Sequence, residues 1–593
     1  METLYIDNIS FNVFLKLIFF NRNKIEIKVL NEQSFFQNIF INILIFFKHK
    51  IEVESFFFGD IKDQNGQSLH ITARNKASIL SLKFSKWIMK NKYVIKNNQY
   101  CKESKRIVEL FISKRTMFEF EYYTQRIEYI KSKNNYDNKV YFWIRNSLLI
   151  NELFLKESFN NINLFFVSSI RKKVFYGTKT FFKNSIKKIL ELFSFLNSNK
   201  LKNKYYPLVT LASDEINLNT NNRHFPHWFN NKNNYSTLIV NNQSQKIKLV
   251  NKDLVKNNIS IINEIKGVPF YLKKGFIKLS DNRDFPIVLI SNLNELFSIA
   301  KKYYYFLKKV KCKKFLYLEP QYPITDAVQL ISDDLKIKTI CIQYANLGVI
   351  APLMIPSSDY FLVFSKIYEK VFKWNDLGPK KFQSIGYSFI NKDNYKDDID
   401  LKINKEFFVI SYFDESVQNY KWGYHSEQKN NEMIEKLANL VLKNQNLLVI
   451  LKPQFVFNTI EKFNSKIIDK ALNSGRLMEV TQGTSRNLIT PSQIGKISNL
   501  SIAHIGGGTA ALEIALNNKR VVVINEGGYI TKFDSLYKKG KIMYNSLDEI
   551  IKLLPKKLNK EKISIGDWSE IINNFSINHL KSKEFINKII LEK

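Results

Sequence analysis

The sequence predicts an α/β protein of two Rossmann-like units facing a cleft, with a helical elaboration in the N-terminal half. Three observations predict it. Apolar strand-like runs alternate with helical patterns from Phe285 to Ile385, and again from Phe407 to Asn525. A hydrophilic, patternless run, Asn391–Asp400, separates the two series and divides the chain into units 1–390 and 401–593. The stretch Ile502–Leu516 sets three glycines and a threonine between an apolar run and a run of good helix formers, and the apolar Arg520–Asn525 follows. That is a strand, a glycine turn, a helix and a strand.

The elements follow in order. Leu4–Asp7 reads as a strand, Asn12–Phe20 as a helix and Lys24–Leu30 as a strand, a parallel βαβ start. Phe35–Phe47 is apolar but short and rich in Asn and Gln, which predicts a buried helix rather than a membrane span. From about Arg74 to Lys278, helical stretches such as Lys105–Phe120 and Lys183–Leu196 alternate with Asn/Lys-rich connections. This region reads as a helical elaboration of the first unit. Pro286–Ser291 is predicted as a strand and Asn294–Lys308 as a helix. Lys314–Leu318, Lys338–Gln343, Asp359–Phe364 and Phe382–Ile385 read as strands, with a helix over Asp326–Asp334 and another ending near Gly378. In the second unit, Phe407–Tyr412 and Leu447–Lys452 are strands and Gln428–Lys443 a helix, with a last helix over Ile577–Leu591.

Composition narrows the function. The chain of 593 residues carries a formal net charge of +36, with 14% aromatic residues. Its Lys, Asn, Ile and Phe bias runs through every segment, as an AT-rich coding sequence would produce, so the charge is discounted as a signature of function. It still makes a positive field that attracts phosphates, acidic glycans or an anionic membrane surface. The basic residues are diffuse and form no recognisable module, which argues against nucleic acid as a partner. Three cysteines argue against a disulfide framework and for a reducing compartment, with Cys312 and Cys341 as core filler. Glu2 and Asp7 interrupt any signal-peptide pattern. The expected location is cytoplasmic, with peripheral contact at the inner face of the membrane.

The chemistry is expected at strand ends, because ligands of open parallel sheets bind beyond the carboxyl ends of the strands. Gly506, Gly507 and Gly508 open a helix whose first N–H groups are unpaired and whose dipole is positive there, a site for phosphate. A tight turn without ligand is the alternative. Thr509 suits either a helix cap or a phosphate oxygen. Glu513 lies one turn further on the same face, placed for ribose hydroxyls or simply for solvent. Lys452 ends a strand before Pro453 and suits a diphosphate, or snorkels at an edge. His504 ends its strand, as a ligand contact or a hydrogen-bonded core histidine. Glu319, in the loop Glu-Pro-Gln-Tyr-Pro, is the first candidate for a general base towards an acceptor hydroxyl, and Asp7 the second; a loop glutamate in water is the plain reading of the former. His224 and His227 lack a third metal ligand nearby, and Asp398 and Asp400 fall in the polar linker, so no metal site is assigned.

Taken together, these residues resemble a GT-B glycosyltransferase of the bacterial surface and capsular polysaccharide type, related to polysialyltransferases and glycerophosphotransferases. The resemblance spans roughly Phe285–Asp534 and the βαβ start. It rests on the strand ending in Gln343, on Asp359–Phe364 with Ser384–Ser388 beyond it, on Lys452–Pro453, and on Gly506–Glu513 followed by the Val521 strand. It implies transfer of a sugar, or a sugar-like phosphate group, from a nucleotide donor to a glycan or lipid-linked glycan, with no obligatory metal and no cofactor beyond the nucleotide-sugar substrate. Gly507, Gly508 and Thr509 would meet the donor phosphates with Lys452 beside them, Glu513 would face the nucleoside, and Glu319 would be the base. The chain departs from the pattern at Tyr344 and Ala345, where the family has His-Gly, and at Gln454, where a histidine is common. A nucleotide-sugar epimerase on the same fold, and a basic nucleic-acid-binding protein, are the competing readings.

Overall fold

The computed structural model describes residues 2–7, 9, 11–18, 25–30, 35–47, 49–54, 57–90, 104–133, 140–145, 150–159, 163–167, 205–212, 237–241, 259–262, 286–346, 351–374, 376–389, 401, 403–404, 406–414, 426–454, 465–482, 489–505, 508–539, 541–554, 563–577 and 581–591. The polar run 391–400, His224, His227 and the stretch 183–196 lie outside them.

Three parallel sheets form the framework, each the centre of one structural unit: the first, the second and the third. The first contains β1 (Glu2–Ile6), β2 (Ile25–Leu30), β3 (Ile51–Glu54), β4 (Val140–Arg145) and β5 (Asn163–Val167), in the order β3-β2-β1-β4-β5. The second contains β6 (Leu208–Ala212), β7 (Thr237–Asn241), β8 (Ile259–Ile262), β9 (Lys314–Tyr317), β10 (Lys338–Ile342), β11 (Tyr360–Val363) and β12 (Lys381–Ser384), in the order β12-β11-β10-β9-β6-β7-β8. The third contains β13 (Phe408–Phe413), β14 (Leu447–Lys452), β15 (Leu477–Glu479), β16 (Leu500–His504), β17 (Val521–Ile524) and β18 (Met543–Tyr544), in the order β15-β14-β13-β16-β17-β18. That last order is the doubly wound Rossmann arrangement, with its reversal between β13 and β16.

The α/β class and the Rossmann-like sheets agree with the sequence reading; three details differ. The βαβ start does not join the sheet that holds Lys314–Ser384 but begins a sheet of its own. The stretch 74–278, read as a helical elaboration, contributes β4 to β8. Each of these strands has only four to six residues, too short a run to separate from a buried helix by periodicity. Pro286–Ser291 is not a strand but the start of helix Ile287–Lys309. Its buried Leu289, Leu293, Leu296, Phe297 and Ala300 repeat at helical spacing, so the apolar run is the first turns of one amphipathic face.

Phe35–Phe46 is a helix, but it is buried on one face only. Ile41 and Leu44 are covered, while Ile45 is 48% and Phe46 82% exposed. Among the described residues no helix is long and apolar enough to cross a membrane. The helix before Gly378 ends earlier than expected, at Phe372. The last helix, Ser582–Leu591, is seated on the second sheet: the buried Lys314 ammonium donates to the carbonyls of Ile589 and Ile590 at 2.7 and 2.6 Å. A cation at helix-terminal carbonyls is favoured by their unpaired oxygens and by the dipole.

Two long helices, Leu69–Lys90 and Ser104–Lys133, run antiparallel and tie the first unit to both others. Their pairing is polar as well as apolar: Ser81 and Ser113 hydroxyls meet at 3.0 Å, and Thr124 donates to the Ala73 carbonyl at 3.0 Å. Near the sheet, Arg74 pairs with Glu121 at 3.2 Å, and Gln125 meets His70 Nδ1 at 3.0 Å. Leu82 and Leu110 pack with Ile355 and Leu377 of the second unit, and Met117 with Ala351 and Leu353. On the other side the Ser68 amide donates to the Gly527 carbonyl at 2.9 Å. Gly528 holds φ +64°, and a Cβ there would lie 2.8 Å from the Gly66 carbonyl oxygen, so this close approach admits only glycine.

Burial, with Arg74 nearby, holds the His70 imidazole down at about 3, against 6.5 when free. It is therefore neutral in the folded chain, and the unfolded chain takes up a proton first as pH falls. Stability is expected to decline from pH 6.5 towards pH 3, by on the order of 4 kcal/mol in full. His70→Gln should flatten that slope in denaturation measured across this range; an equal slope in both proteins would show that another group carries it.

Candidate functional site

The carboxyl ends of the second and third sheets face each other. Beyond β10, the Gln343 side chain braces the loop, accepting from the Phe364 amide at 3.0 Å and donating to the Ala345 carbonyl at 2.9 Å. This presents Asn346 to the helix Gly508–Ala515 that follows β16. The Asn346 amide donates to Thr509 Oγ1 at 2.8 Å, and its Nδ2 donates to the Gly508 carbonyl at 3.0 Å. Its Oδ1 accepts from the Tyr368 hydroxyl at 2.7 Å. All three positions are buried.

This contact changes the expected parts. Thr509 Oγ1 accepts the backbone amide of the opposite unit, so its hydroxyl is engaged by protein as well as placed at the helix start. A Cβ on Gly508 would come to 3.2 Å from Asn346 Nδ2, so glycine serves the approach of two protein units there. Glu513 has a protein partner too. It is buried and accepts from the Tyr387 hydroxyl, whose backbone amide donates to Ser576 Oγ at 2.8 Å. Gly506 and Gly507 lie outside the described residues.

Other candidates gather at the sheet reversal between β13 and β16. His504 is buried, its Nε2 sharing a hydrogen bond with the Tyr412 hydroxyl at 2.9 Å. Lys452 ends β14 beside Phe413, and its ammonium lies 3.5 Å from the Pro453 carbonyl. Asp414, just past β13, accepts from the Gln454 amide at 2.6 Å and so fixes the Lys452–Gln454 corner. Further along this edge, burial raises the Glu526 carboxyl above its usual range, against the pull of Lys429, Lys436 and the first unit's Lys62.

On the second sheet, Glu319 follows β9 next to the reversal between β6 and β9, half-buried, with Gln321 Nε2 donating to its Oε2 at 3.1 Å. Asp7 is held differently. Its Oδ1 receives Arg126 Nε at 2.5 Å and its Oδ2 the Tyr122 hydroxyl, all inside the first unit. Both Asp7 oxygens are thus engaged by partners within the protein. The structure thus brings Lys452, His504, Gly508 and Thr509 to one sheet edge, with Glu319 on the edge opposite. Asp7 follows β1 in the first sheet, and Glu513 lies further along the helix that Gly508 starts. Asn346 was visible in sequence only as part of a strand end; Tyr368, Tyr387, Lys114 and Arg126 carried no local signal. Among the described residues no group of three His, Cys, Asp or Glu could hold a metal ion, and Cys312 and Cys341 are buried free thiols.

No protein-family model and no curated protein sequence matches the chain. Solved structures do show similarity in shape. The UDP-GlcNAc 2-epimerase from Neisseria meningitidis bound to UDP-GlcNAc is 13% identical at TM-score 0.39, over 65% of this chain and 100% of that one. HepE from Anabaena, in complex with UDP and glucose, is 10% identical at TM-score 0.37, over 66% and 100%. A UDP-glucosyltransferase from Polygonum tinctorium is 11% identical at TM-score 0.35, over 65% and 99%. Likeness at these scores assigns neither an activity nor a residue role.

Thr509→Val leaves the buried Asn346 amide without its acceptor. The change is expected to cost about 2 kcal/mol of the contact between the two units. Denaturant unfolding should show it as an earlier loss of the third unit, and an unaltered curve would mean the contact holds nothing.

Proposed function

We propose that the chain is a glycosyltransferase that moves a sugar from a nucleotide-activated donor to a surface polysaccharide or glycolipid acceptor. One observation supports the reading: two doubly wound sheets meet carboxyl end to carboxyl end at Asn346 and Thr509, with Lys452 and His504 ending strands of one sheet and Glu319 following a strand of the other. The donor diphosphate would lie on the third sheet, beside Lys452 and the turn Gly506–Gly508. Thr509 and Asn346 would set the height of that turn rather than bind phosphate. Glu319 takes the proton of an acceptor hydroxyl as its oxygen attacks the anomeric carbon; the bond from that carbon to the phosphate oxygen breaks and nucleoside diphosphate leaves. Lys452 and backbone amides balance the leaving charge, so the mechanism needs no metal. The net charge of +36 and the exposed Ile45 and Phe46 support a peripheral contact with an anionic membrane that carries the acceptor.

A panel of UDP-, CDP- and GDP-sugars with CDP-glycerol tests the donor. A saturating donor should raise stability by about 3 kcal/mol at a hundredfold excess over Kd, seen as a higher melting temperature. No shift with any of them would remove the reading, and conversion of a nucleotide sugar without acceptor would make the chain an isomerase. Glu319→Gln should slow transfer by about 100-fold or more while leaving donor affinity unchanged. An undiminished rate would take Glu319 out of the mechanism.

A further inference from the structure

The Glu319 loop is held by a cation from another unit. Lys114 projects from helix Ser104–Lys133 and is 2% exposed. Its ammonium donates to Asp326 Oδ1 at 2.9 Å and Oδ2 at 3.0 Å, and to the Pro320 carbonyl at 2.9 Å. Pro320 directly follows Glu319. The same carbonyl receives Thr325 Oγ1 at 3.3 Å, and Thr325 also donates to the Tyr322 carbonyl at 2.8 Å. Asp326 lies in the first turn of helix Pro323–Leu335, where the dipole favours a carboxylate, and accepts in addition from Ser357 Oγ at 2.8 Å. One buried point charge thus gathers the loop before the helix, the helix start and the Ser357 segment.

Such a pair is a poor choice for stability alone. Two buried charges lose their hydration, and an apolar pair of equal volume often does as well or better. What an ion pair adds is registry, because a lysine with three donors satisfied fixes the position of each acceptor. Here one acceptor is the backbone next to the candidate base. Pro320 stiffens the joint further, since its ring fixes φ.

We infer that Lys114 is a positioning residue for the Glu319 loop: through the Pro320 carbonyl, the first unit sets where the Glu319 carboxylate stands at the groove between the second and third units. The part of this inference that concerns transfer rests on the function proposed above; the part that concerns the loop does not. The first unit therefore contributes to the reaction through Lys114.

Lys114→Met alone leaves Asp326 buried without its cation, a change that favours misfolding. The informative protein is the full chain carrying Lys114→Met with Asp326→Leu, which removes both charges together. Amide exchange over residues 318–326 should speed up about tenfold or more, with residues 500–505 unchanged as a control for the fold. Unchanged exchange at 318–326 overturns the inference, whether or not the chain transfers sugar. Where wild type is active, the double variant should lose about 100-fold in kcat with little change in donor KM. Introduced into Glu319→Gln, the same pair of changes should cost no further rate, because both act on one group. A full second loss in that background overturns the route through Glu319. A wild type that is inactive with every donor overturns the proposed function and leaves the exchange measurement to decide the loop.

Discussion

The protein's arrangement depends on one asparagine. Asn346 spends its backbone amide, its side-chain amide and its side-chain oxygen on Thr509, Gly508 and Tyr368. Buried polar groups are costly when unpaired and fix geometry when all are paired. Because every one of these has a partner, the second and third units meet in a single register. Gly508 suits that register, since a Cβ there would crowd the asparagine at 3.2 Å. Helix-start donors, a strand-end lysine and a loop glutamate come near one groove only because this joint holds.

Much of the framework was legible in the chain, and the reason is the length and regularity of its signals. Leu447–Lys452 is a strand over the residues read from sequence, buried at every position, and Glu427–Lys443 begins at a serine cap that the amphipathic pattern announces. Pro286–Ser291 misled because an apolar run has no period of its own until the buried residues beyond it are counted. Strands such as Ile259–Ile262 were lost among Asn and Lys, and with them the first sheet's independence and the start of the second. The site was legible as a set of strand ends. What sequence could not carry was which oxygen each polar side chain would meet, because partners such as Thr509 for Asn346 and Tyr387 for Glu513 lie more than a hundred residues away.

That difference explains Glu513 and Asp7. Both have the residue type and the local placement that ligand binding demands. Each meets a tyrosine or arginine from a distant segment, Tyr387 for one, Tyr122 and Arg126 for the other. A carboxylate removed from water must be paired, and spacing along the chain does not reveal whether the pair is protein or substrate. Glu319 and Lys452 stand beyond the carboxyl ends of their strands, the position at which open parallel sheets bind ligands.

The seat of Lys314 has a consequence for how the chain is made. The two carbonyls that receive its ammonium lie up to 276 residues further along. At roughly 5–20 residues per second on a ribosome, the strand that carries it waits tens of seconds for that helix. During this interval a cation destined for the interior has no carbonyl cradle, so the second sheet cannot close over it. The nascent chain must then complete its middle after its far portion has emerged, and a stalled or shortened translation product would expose the flank of that sheet to chaperones and proteases.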